Sequence, residues 1–310
     1  MSEFKHYTVL LNETCNSLNA KNSNKIFIDA TLGGGGHSEL ILKQISPSGK
    51  LIAFDVDQDA IKYASSRLKG YNNLTIINDS YVNIPRYLEE MGIKEITGGI
   101  IYDLGASYYQ LTSEKRGFSF LKDSPLDMRF GNNQDITAYD VVNGYSEEKL
   151  VEIFSHYGQE RFSKTIAKEI VKKRKVSKIN TTLDLANLIK EKTPHIKSKI
   201  HPATKVFQAI RIEVNQELQN IKLSLLNIIP LLSIDAIISV ISFHSLEDGV
   251  VKEVFKMKSK DCNCKPNDPI CNCPKAQLKL INKKPIIPTD QEIFNNPASR
   301  SAKLRIAQRI

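Results

Sequence analysis

The sequence predicts an α/β protein with a doubly wound, mostly parallel β-sheet and a helical insertion. Apolar, β-rich stretches alternate with helix-like stretches near the start of the chain, a pattern typical of parallel strands joined by right-handed helical connections. Aspartates follow successive stretches, and Asp55, Asp79 and Asp103 are 24 residues apart, about one strand–helix repeat. A glycine run, Gly33–Gly36, follows the first stretch. Because open α/β sheets bind ligands at the carboxyl ends of their strands, this pattern also predicts where a ligand binds.

The individual strands and helices of this first part follow from the alternation. Each predicted strand is an apolar stretch bounded by polar or glycine residues, and each predicted helix has apolar residues at helical spacing. The predicted strands are Lys25–Ala30, Leu51–Asp55, Leu74–Ile77 and Gly98–Asp103, and the predicted helices are Ser38–Ile45, Asp59–Leu68 and Ile84–Met91.

The alternation stops at Leu104, and the next hundred or so residues contain helical patterns without a convincing strand. Phe162, Ile166 and Ile170, for example, recur at four-residue spacing, which places them on one face of a helix. We therefore predict a helical, basic insertion for substrate recognition at 105–204, within a ligand-binding domain formed by 1–104 and 205–310.

The α/β pattern resumes after Pro202. An apolar stripe between Phe207 and Leu225 predicts one long helix. The apolar, β-rich run Ser233–Phe243 is predicted to be a central buried strand, and Ala302–Arg309 a last strand. The segment 257–288 is rich in Lys, Asn, Cys and Pro and is predicted to be a loop.

Charge is distributed unevenly along the chain. The net charge is +9, and the segment 161–205 alone holds 13 Lys and Arg against 3 Asp and Glu. A concentrated basic surface attracts a polyanion and suits phosphate contacts, so the block favours a nucleic-acid partner. The alternative is a solvated, lysine-rich helix surface, which is common in proteins.

Other features of the composition exclude several classes of protein. No apolar run reaches 18 residues, so we expect no membrane span, and the amino terminus lacks the apolar core of a signal peptide. Five cysteines in a chain of 310 residues do not form a disulfide scaffold. We therefore expect a cytoplasmic protein with reduced cysteines.

The glycine run does not match the common phosphate-binding loops. A phosphate-binding P-loop requires Gly-Lys-Ser/Thr, whereas this run continues into His37 and Ser38. A dinucleotide fingerprint would fit Gly33 and Gly35 but meets Ser38 at its third small position. S-adenosylmethionine, whose amino-acid end lies where a pyrophosphate would otherwise sit, fits better than a dinucleotide. Asp55, after the second strand, is placed to accept hydrogen bonds from ribose hydroxyls.

Four cysteines near the carboxyl terminus form two C-x-C pairs separated by six residues. Four thiolates could hold a tetrahedral zinc ion, but C-x-C is tighter than the common C-x₂-C spacing. The interpretation of reduced cysteines in a loop is slightly favoured, so no metal site is predicted. The cysteines concerned are Cys262, Cys264, Cys271 and Cys273.

Several separate stretches together resemble the bacterial 16S ribosomal RNA cytosine-N4-methyltransferases. They occur in order over nearly the whole chain, and their combination is highly specific although each alone is weak. The stretches are His6–Leu11, Asp29–Ser38, Asp103–Gly105, Arg116–Phe120, Pro125–Arg129, His201–Thr204, Phe207–Arg211, Ser242–Asp248 and Arg300–Ala302.

The resemblance implies a class I S-adenosylmethionine methyltransferase fold, with that molecule as methyl donor. It also implies methylation of the N4 amine of a cytidine in 16S ribosomal RNA of the small ribosomal subunit, by a monomer or homodimer. The local sequence departs from the family at Ala30, often glycine, and at Tyr108-Tyr109, usually Ser-Pro. The implied cofactor-binding residues are Gly35, Gly36, His37, Asp55, Tyr81, Asp103 and Gln110.

The chemistry of this reaction identifies further candidates. The cytosine N4 amine is a poor nucleophile, so methyl transfer to it requires that the nitrogen be positioned against the methyl carbon. It also requires an acceptor for the proton that the amine loses. The loop after the fourth strand lacks the paired prolines of DNA amino-methyltransferases, so the acceptor cannot be assigned by analogy. Asp103 or a nearby carbonyl is the candidate for orienting the amine, and His244, predicted to lie close by, is the second catalytic candidate. A structural hydrogen-bond donor after a buried strand is an equal alternative for His244.

Four residues are candidates for substrate contacts. Arg116 and Arg129 flank a loop with glycine and proline and could grip phosphates. Arg211 and Asn215 share a helix face and could reach the substrate, although a plain polar face is an equal alternative.

Two other functions compete with methyl transfer. A non-catalytic RNA-binding ribosome-assembly factor would explain the basic block but not the acids at successive strand ends. A nicotinamide-dependent oxidoreductase would explain the glycine run but lacks the third small residue of the fingerprint, where Ser38 stands.

Overall fold

The computed structural model describes residues 8–107, 110, 116–131, 134–193, 201–262 and 275–310. These residues form two compact units. The α/β unit takes its described residues from Met1–Gly105 and Leu218–Ile310, and the helical unit from Ala106–Glu217.

The strands of the α/β unit form one seven-stranded sheet in the order β3-β2-β1-β4-β5-β7-β6. The first five strands pair in parallel, and the last two pair antiparallel at one edge. This topology confirms the predicted doubly wound, mostly parallel sheet. The strands are β1 (Ile26–Asp29), β2 (Lys50–Phe54), β3 (Leu74–Ile77), β4 (Gly99–Asp103), β5 (Ile237–Ser242), β6 (Leu278–Leu280) and β7 (Lys303–Arg309).

Helices cover both faces of this sheet. Alternate strand residues point to opposite sides, so Phe27 of β1 belongs to one apolar cluster and Ile28 to another. Apolar residues of α1, α2 and α3 fill the first cluster, and those of α4, α10 and α11 fill the second. The bounds are α1 (Leu11–Ser17), α2 (Gly36–Gln44), α3 (Gln58–Arg67), α4 (Ile84–Glu90), α10 (Glu217–Ile228), α11 (Ser245–Lys258) and a short α12 (Asp290–Asn295).

The described part of the helical unit packs its helices around a separate apolar core. Predicted positions Ile166 and Ile170 are fully buried there, as their four-residue spacing requires. Its helices are α5 (Ala138–Gly144), α6 (Glu147–His156), α7 (Ser163–Val176), α8 (Thr182–Lys192) and α9 (Ala203–Asn215).

Three predictions about the second half of the chain need correction. The single helix predicted between Phe207 and Leu225 is two helices, because Gln216 adopts a left-handed backbone with φ of 49° and ends α9. The unit boundary lies near Leu218 instead of at 205, since the apolar face of α9, including Phe207 and Ile210, is buried in the helical core. The predicted loop 257–288 also contains the end of α11 and the short edge strand β6.

Among the described residues, no helix combines the length and apolar character that spanning a bilayer requires.

A buried ion pair joins α11 to the antiparallel edge of the sheet. Arg305 Nε lies 2.7 Å from Asp248 Oδ1, and Arg305 Nη2 lies 3.2 Å from Asp248 Oδ2. Burial disfavours the ionised carboxylate, but Arg305 and Lys303 outweigh that effect and hold the pKa of Asp248 below its ordinary value. Removing one member of such a pair leaves the other charge buried and unpaired.

Replacing Asp248 with alanine is therefore expected to lower the free energy of unfolding by about 3–5 kcal/mol. Urea denaturation of the purified protein measures this change. The matched control on the same helix is Glu253→Ala, which removes an exposed ion pair with Lys222 at 3.1 Å and should cost at most about 1 kcal/mol. Equal losses in the two variants would contradict a special contribution of the buried pair.

Candidate active site

The carboxyl ends of β1, β2 and β4 lie at the same edge of the sheet. An aspartate is the last residue of the strand, or the residue directly after it, in all three cases. Asp29 ends β1, Asp103 ends β4, and Asp55 directly follows β2. The chain runs from β1 outward to β2 and β3 and then crosses back to β4 on the other side of β1, so this is the point where the strand order reverses. Such a reversal opens a crevice in which doubly wound proteins bind ligands.

The glycine run forms the connection between β1 and α2, and its backbone needs glycine. Gly33 and Gly35 have φ of +50° and +75°, in the left-handed region. Gly36 begins α2, and a Cβ atom at this position would lie 1.8 Å from Thr8 Oγ1. The described residues of the amino-terminal segment therefore pack directly against the loop, which leaves no room for a side chain.

The amino terminus of α2 is suited to an anionic group. Its N-cap residue is Gly35, which has no side chain to accept a hydrogen bond from the backbone N–H groups of the first turn. The backbone N–H groups and the helix dipole at such an end favour a carboxylate or phosphate. This position corresponds to the predicted cofactor loop Gly35, Gly36 and His37.

Asp55 fixes the start of the glycine loop. Its Oδ2 accepts a hydrogen bond of 2.7 Å from the Gly33 N–H, and its Oδ1 accepts one of 2.9 Å from the Asp57 N–H. Burial raises the pKa of Asp55 to about 6, against the effect of these hydrogen bonds. Each carboxylate oxygen can accept a second hydrogen bond, so the predicted contact with ribose hydroxyls is chemically compatible with this arrangement.

Asp29, which received no individual role in the sequence analysis, is a structural acid of the loop. It is fully buried, and its two oxygens accept hydrogen bonds from the Thr31 N–H at 3.1 Å and the Ser38 hydroxyl at 2.7 Å. Burial raises its pKa to about 6. Ser38, the residue that breaks the dinucleotide fingerprint, therefore joins α2 to the end of β1.

Asp103 differs from the other two acids because one of its oxygens is unused. Its backbone N–H donates to Thr31 Oγ1 at 2.6 Å, which fixes the end of β4. Its Oδ2 lies 3.7 Å from Nδ1 of His37. Its Oδ1 is buried and has no hydrogen-bond partner among the described residues. An orphaned buried carboxylate oxygen at a strand end is what a site for a cationic or amino ligand would contain.

The His37 imidazole is buried between Asp103 and the amino-terminal segment. Its Nε2 lies 3.2 Å from the carbonyl oxygen of Val9. A carbonyl can only accept, so Nε2 carries a proton and, in the neutral ring, the lone pair of Nδ1 points toward Asp103. The imidazole therefore links the start of α2 to the end of β4.

His244, the second predicted catalytic residue, has a structural position at the start of α11. Its Nδ1 accepts a hydrogen bond of 3.4 Å from the Glu247 N–H, and the Glu247 carboxylate accepts from the backbone N–H groups of Phe243 and His244. This reciprocal arrangement is a capping box. Nε2 of His244 lies 3.1 Å from Glu247 Oε1. Its role as proton acceptor stays a prediction, which this geometry does not favour.

Glu247 is the residue of this edge that the sequence analysis did not select. Its side chain is fully buried, and a Cβ atom on Gly105 would lie 3.7 Å from its Oε1. His244 and Glu247 have the three-residue spacing of a capping box, but histidine is not one of the usual N-cap residues, so the sequence alone did not reveal this role.

Tyr81 follows β3, in a 3-10 turn of Tyr81–Asn83. Its ring is half-buried and meets the buried ring of Tyr102 edge to face at 5.7 Å between centroids. The neighbouring Asp79 accepts hydrogen bonds from four nearby groups, including the Arg86 guanidinium and the Tyr87 hydroxyl. The predicted cofactor contact of Tyr81 stays a prediction, whereas Asp79 stabilises its own turn.

Gln110 and the predicted substrate residues belong to the helical unit. The Gln110 side chain accepts from the Ser107 N–H at 2.9 Å and donates to the Phe130 carbonyl at 3.3 Å. The carbonyl of Arg116 accepts a hydrogen bond of 2.9 Å from the Met128 N–H. The predicted cofactor contact of Gln110 and phosphate contact of Arg116 remain predictions.

The other three predicted substrate residues have extensive contacts inside the helical unit. Arg129 pairs with Asp127 through two hydrogen bonds, and Arg211 pairs in the same way with Glu217. Asn215 is buried and uses both ends of its amide, accepting from Phe130 and Gln134 and donating to Met128 and Arg211. These contacts give the three side chains structural roles, and their contacts with substrate stay predictions.

Cys262 is exposed, and the other three cysteines of the predicted C-x-C pairs, Cys264, Cys271 and Cys273, lie outside the described residues.

Comparisons with known proteins agree with the resemblance read from the motifs. A model of the MraW methylase family matches residues 3–310. Two proteins named ribosomal RNA small subunit methyltransferase H, from the Loch Maree and Kyoto strains of Clostridium botulinum, are each 49% identical over 310 residues, which are 99% of this chain and 100% of each relative. A crystal structure of an rRNA methylase from Streptococcus thermophilus covers 96% of this chain and 95% of its own, with 12% identity and a TM-score of 0.41.

The family match covers almost the whole chain, and the curated relatives match over their full length at high identity. The predicted family resemblance is therefore confirmed: this chain belongs to the MraW methylase family.

Proposed function

We propose that this protein transfers the methyl group of S-adenosylmethionine to the N4 amine of a cytidine in 16S ribosomal RNA of the small ribosomal subunit. The observation that carries the proposal is the orphaned Asp103 oxygen beside a glycine loop, at the point where the strand order reverses. The names of the curated relatives support ribosomal RNA of the small subunit as substrate. Such a substrate supports a cytoplasmic location for the reaction.

The residues of the glycine loop and of the neighbouring strand ends can bind the separate chemical groups of the methyl donor. The amino terminus of α2, at Gly35, Gly36 and His37, would receive the carboxylate of its amino-acid end. Asp55 would accept hydrogen bonds from the ribose hydroxyls, and Tyr81 would contact the adenine. When bound, S-adenosylmethionine supplies a methyl group on a sulfonium, which is a good leaving group.

Asp103 is the acceptor that the reaction requires. The cytosine N4 amine has two N–H groups, and an acceptor is needed both to orient the nitrogen and to take the proton that it loses. Among the acids at this edge, Asp29 and Asp55 have both oxygens engaged by the loop. Only Asp103 of these three retains an oxygen without a partner among the described residues.

The basic block provides a surface for RNA phosphates. In α7, Lys164, Lys168, Lys172 and Lys175 are all exposed, and their spacing of three and four residues places them on one side of the helix. The opposite side carries the buried Ile166. A row of lysines along one helix face concentrates positive charge that attracts a nucleic-acid backbone.

Replacing Lys164, Lys168 and Lys172 together with glutamine is expected to weaken binding to small subunits and to reduce its dependence on salt. Removing one lysine–phosphate ion pair lowers the slope of log K against log salt by about 0.7–0.9. Filter binding at several salt concentrations measures the slope. A control variant exchanges the exposed Lys62, Lys69 and Lys94 of the α/β unit for glutamine, and an equal effect there would refute a specific role of α7.

The decisive test of the reaction is transfer of a tritiated methyl group to purified small subunits that lack the modification, followed by nucleoside analysis. The proposal predicts label in N4-methylcytidine. Binding of subunits and of S-adenosylmethionine without any transfer would support the assembly-factor alternative. Binding of NADH in place of S-adenosylmethionine would support the oxidoreductase, which membership of a methylase family disfavours.

A further inference from the structure

Asp103 lies in an unusual electrostatic environment, in which other acids face it. Asp29 on β1 and Glu247 on α11 are the charged groups that act on its carboxyl, and His37 on α2 faces its Oδ2. The hydrogen bond of His37 with the Val9 carbonyl requires a proton on Nε2, and a neutral ring would direct the Nδ1 lone pair toward Asp103. Among the described residues, no Lys or Arg side chain forms an ion pair with Asp103.

The ligand-free protein therefore favours the neutral form of this carboxyl. Burial first, and then the negative charges of Asp29 and Glu247, raise the pKa of Asp103 to about 8. At pH 7 the protonated form would therefore predominate over the ionised form. A protonated carboxyl cannot accept a proton from the cytosine amine, so something must ionise Asp103 before the reaction.

Resting on the proposed function, we propose that the sulfonium charge of S-adenosylmethionine expels the proton of Asp103 on binding, and that Asp103 takes up the proton of the cytosine amine as that charge disappears. The charge on sulfur is the difference between S-adenosylmethionine and its product, S-adenosylhomocysteine. The same acid is thereby kept ionised while the donor is loaded and becomes a proton acceptor during transfer.

The step balances in atoms and charge. The bond between N4 and the methyl carbon forms while the bond from that carbon to sulfur breaks, and the electron pair of the broken bond stays on sulfur. The positive charge moves from sulfur to N4, and N4 then loses one proton to Oδ1 of Asp103. The products are neutral N4-methylcytosine, a thioether and a protonated Asp103, which is the form that the ligand-free protein favours.

The geometry assigns the proton to Oδ1. Oδ2 of Asp103 faces Nδ1 of His37, whereas Oδ1 is buried without a partner among the described residues. Asp29, the strand-end acid whose charge acts on Asp103, has both oxygens occupied by Thr31 and Ser38. Among the strand-end acids Asp29, Asp55 and Asp103, Oδ1 of Asp103 is therefore the described acceptor atom that remains available.

Calorimetric titration in buffers of different ionisation enthalpy counts the protons exchanged on binding. At pH 7 we expect S-adenosylmethionine to release about one proton more than S-adenosylhomocysteine. The affinity for S-adenosylmethionine divided by the affinity for S-adenosylhomocysteine should rise by up to about tenfold per pH unit below pH 8 and become constant above it. The reason is that the sulfonium cation binds to the ionised form of Asp103. Subtracting the proton release measured with S-adenosylhomocysteine from that measured with S-adenosylmethionine cancels proton changes at Asp29 and Asp55 that both ligands cause.

The Asp103→Asn variant should bind both ligands with no difference in proton release, and the exposed Asp59→Asn variant should behave like wild type. Equal proton release for the two ligands in the wild-type protein would overturn the inference while leaving the proposed function intact. Failure of wild type to bind either ligand would instead refute the proposed function. The wild-type comparison decides the question even where Asp103→Asn binds neither ligand.

Discussion

Replacing Gly36 with alanine is expected to lower the affinity for S-adenosylmethionine by about 10- to 100-fold. The new Cβ would lie 1.8 Å from Thr8 Oγ1 and 2.9 Å from Thr8 Cβ, so the loop or the amino-terminal segment must move. Overpacking of this kind typically costs about 1–3 kcal/mol, and each 1.4 kcal/mol is a factor of ten in affinity. Because Gly36 is the first residue of α2, the displacement falls on the predicted cofactor loop.

A second substitution separates the clash from other causes. Combining Gly36→Ala with Thr8→Gly removes every Thr8 side-chain atom that the new methyl group would meet, so the double variant should recover part of the affinity. Gly70→Ala is the control, since a Cβ there meets nothing within 4 Å. If the losses of affinity from the two substitutions simply add in the double variant, the clash with Thr8 is not the cause of the weaker binding.

Replacing Asp103 with asparagine is expected to slow methyl transfer by about 100- to 10,000-fold, the usual contribution of a positioned proton acceptor. The same change should stabilise the protein at high pH. The raised pKa means that the folded state retains a proton which the unfolded state loses from about pH 4 upward. Stability of the wild type therefore falls as pH rises from 4 to 8, and asparagine removes this penalty.

Single-turnover transfer and urea denaturation at pH 5 and pH 8 measure the two effects. Relative to wild type, the Asp103→Asn variant should gain about 1–3 kcal/mol on going from pH 5 to pH 8. A general folding defect would lower activity and stability together, so the opposite signs identify a functional acid. Unchanged transfer rates would remove Asp103 from the reaction.

The sequence predicted the sheet well because its signals are local. Every strand of the parallel part lies within two residues of its predicted ends, except β5, whose apolar run Ser233–Phe243 also includes four residues before the strand. Short elements were missed, since the three residues of β6 pair with β7 and are too few for a periodic pattern. The break at Gln216 was missed because the apolar stripe continues across it, while only the backbone conformation reveals the end of α9.

The candidate site was predictable in outline and not in its contacts. Strand-end acids and the glycine run follow from sequence position, and the structure brings Asp29, Asp55 and the loop together through hydrogen bonds. The sequence could not show that Asn215 satisfies four backbone and side-chain partners, or that His244 and Glu247 cap a helix. Such roles depend on residues distant in the chain or on the geometry of hydrogen bonds, neither of which a single sequence reveals.

Equilibrium titration of ligand-stripped protein with S-adenosylmethionine tests the central claim most directly. The account predicts saturable binding to one site per chain, strongly weakened by Asp55→Ala, which releases the Gly33 N–H and removes the predicted ribose acceptor. Glu253→Ala, an exposed change elsewhere in the α/β unit, should bind like wild type. The absence of saturable binding to the wild-type protein, or unaltered binding by Asp55→Ala, would contradict a donor site at this edge of the sheet.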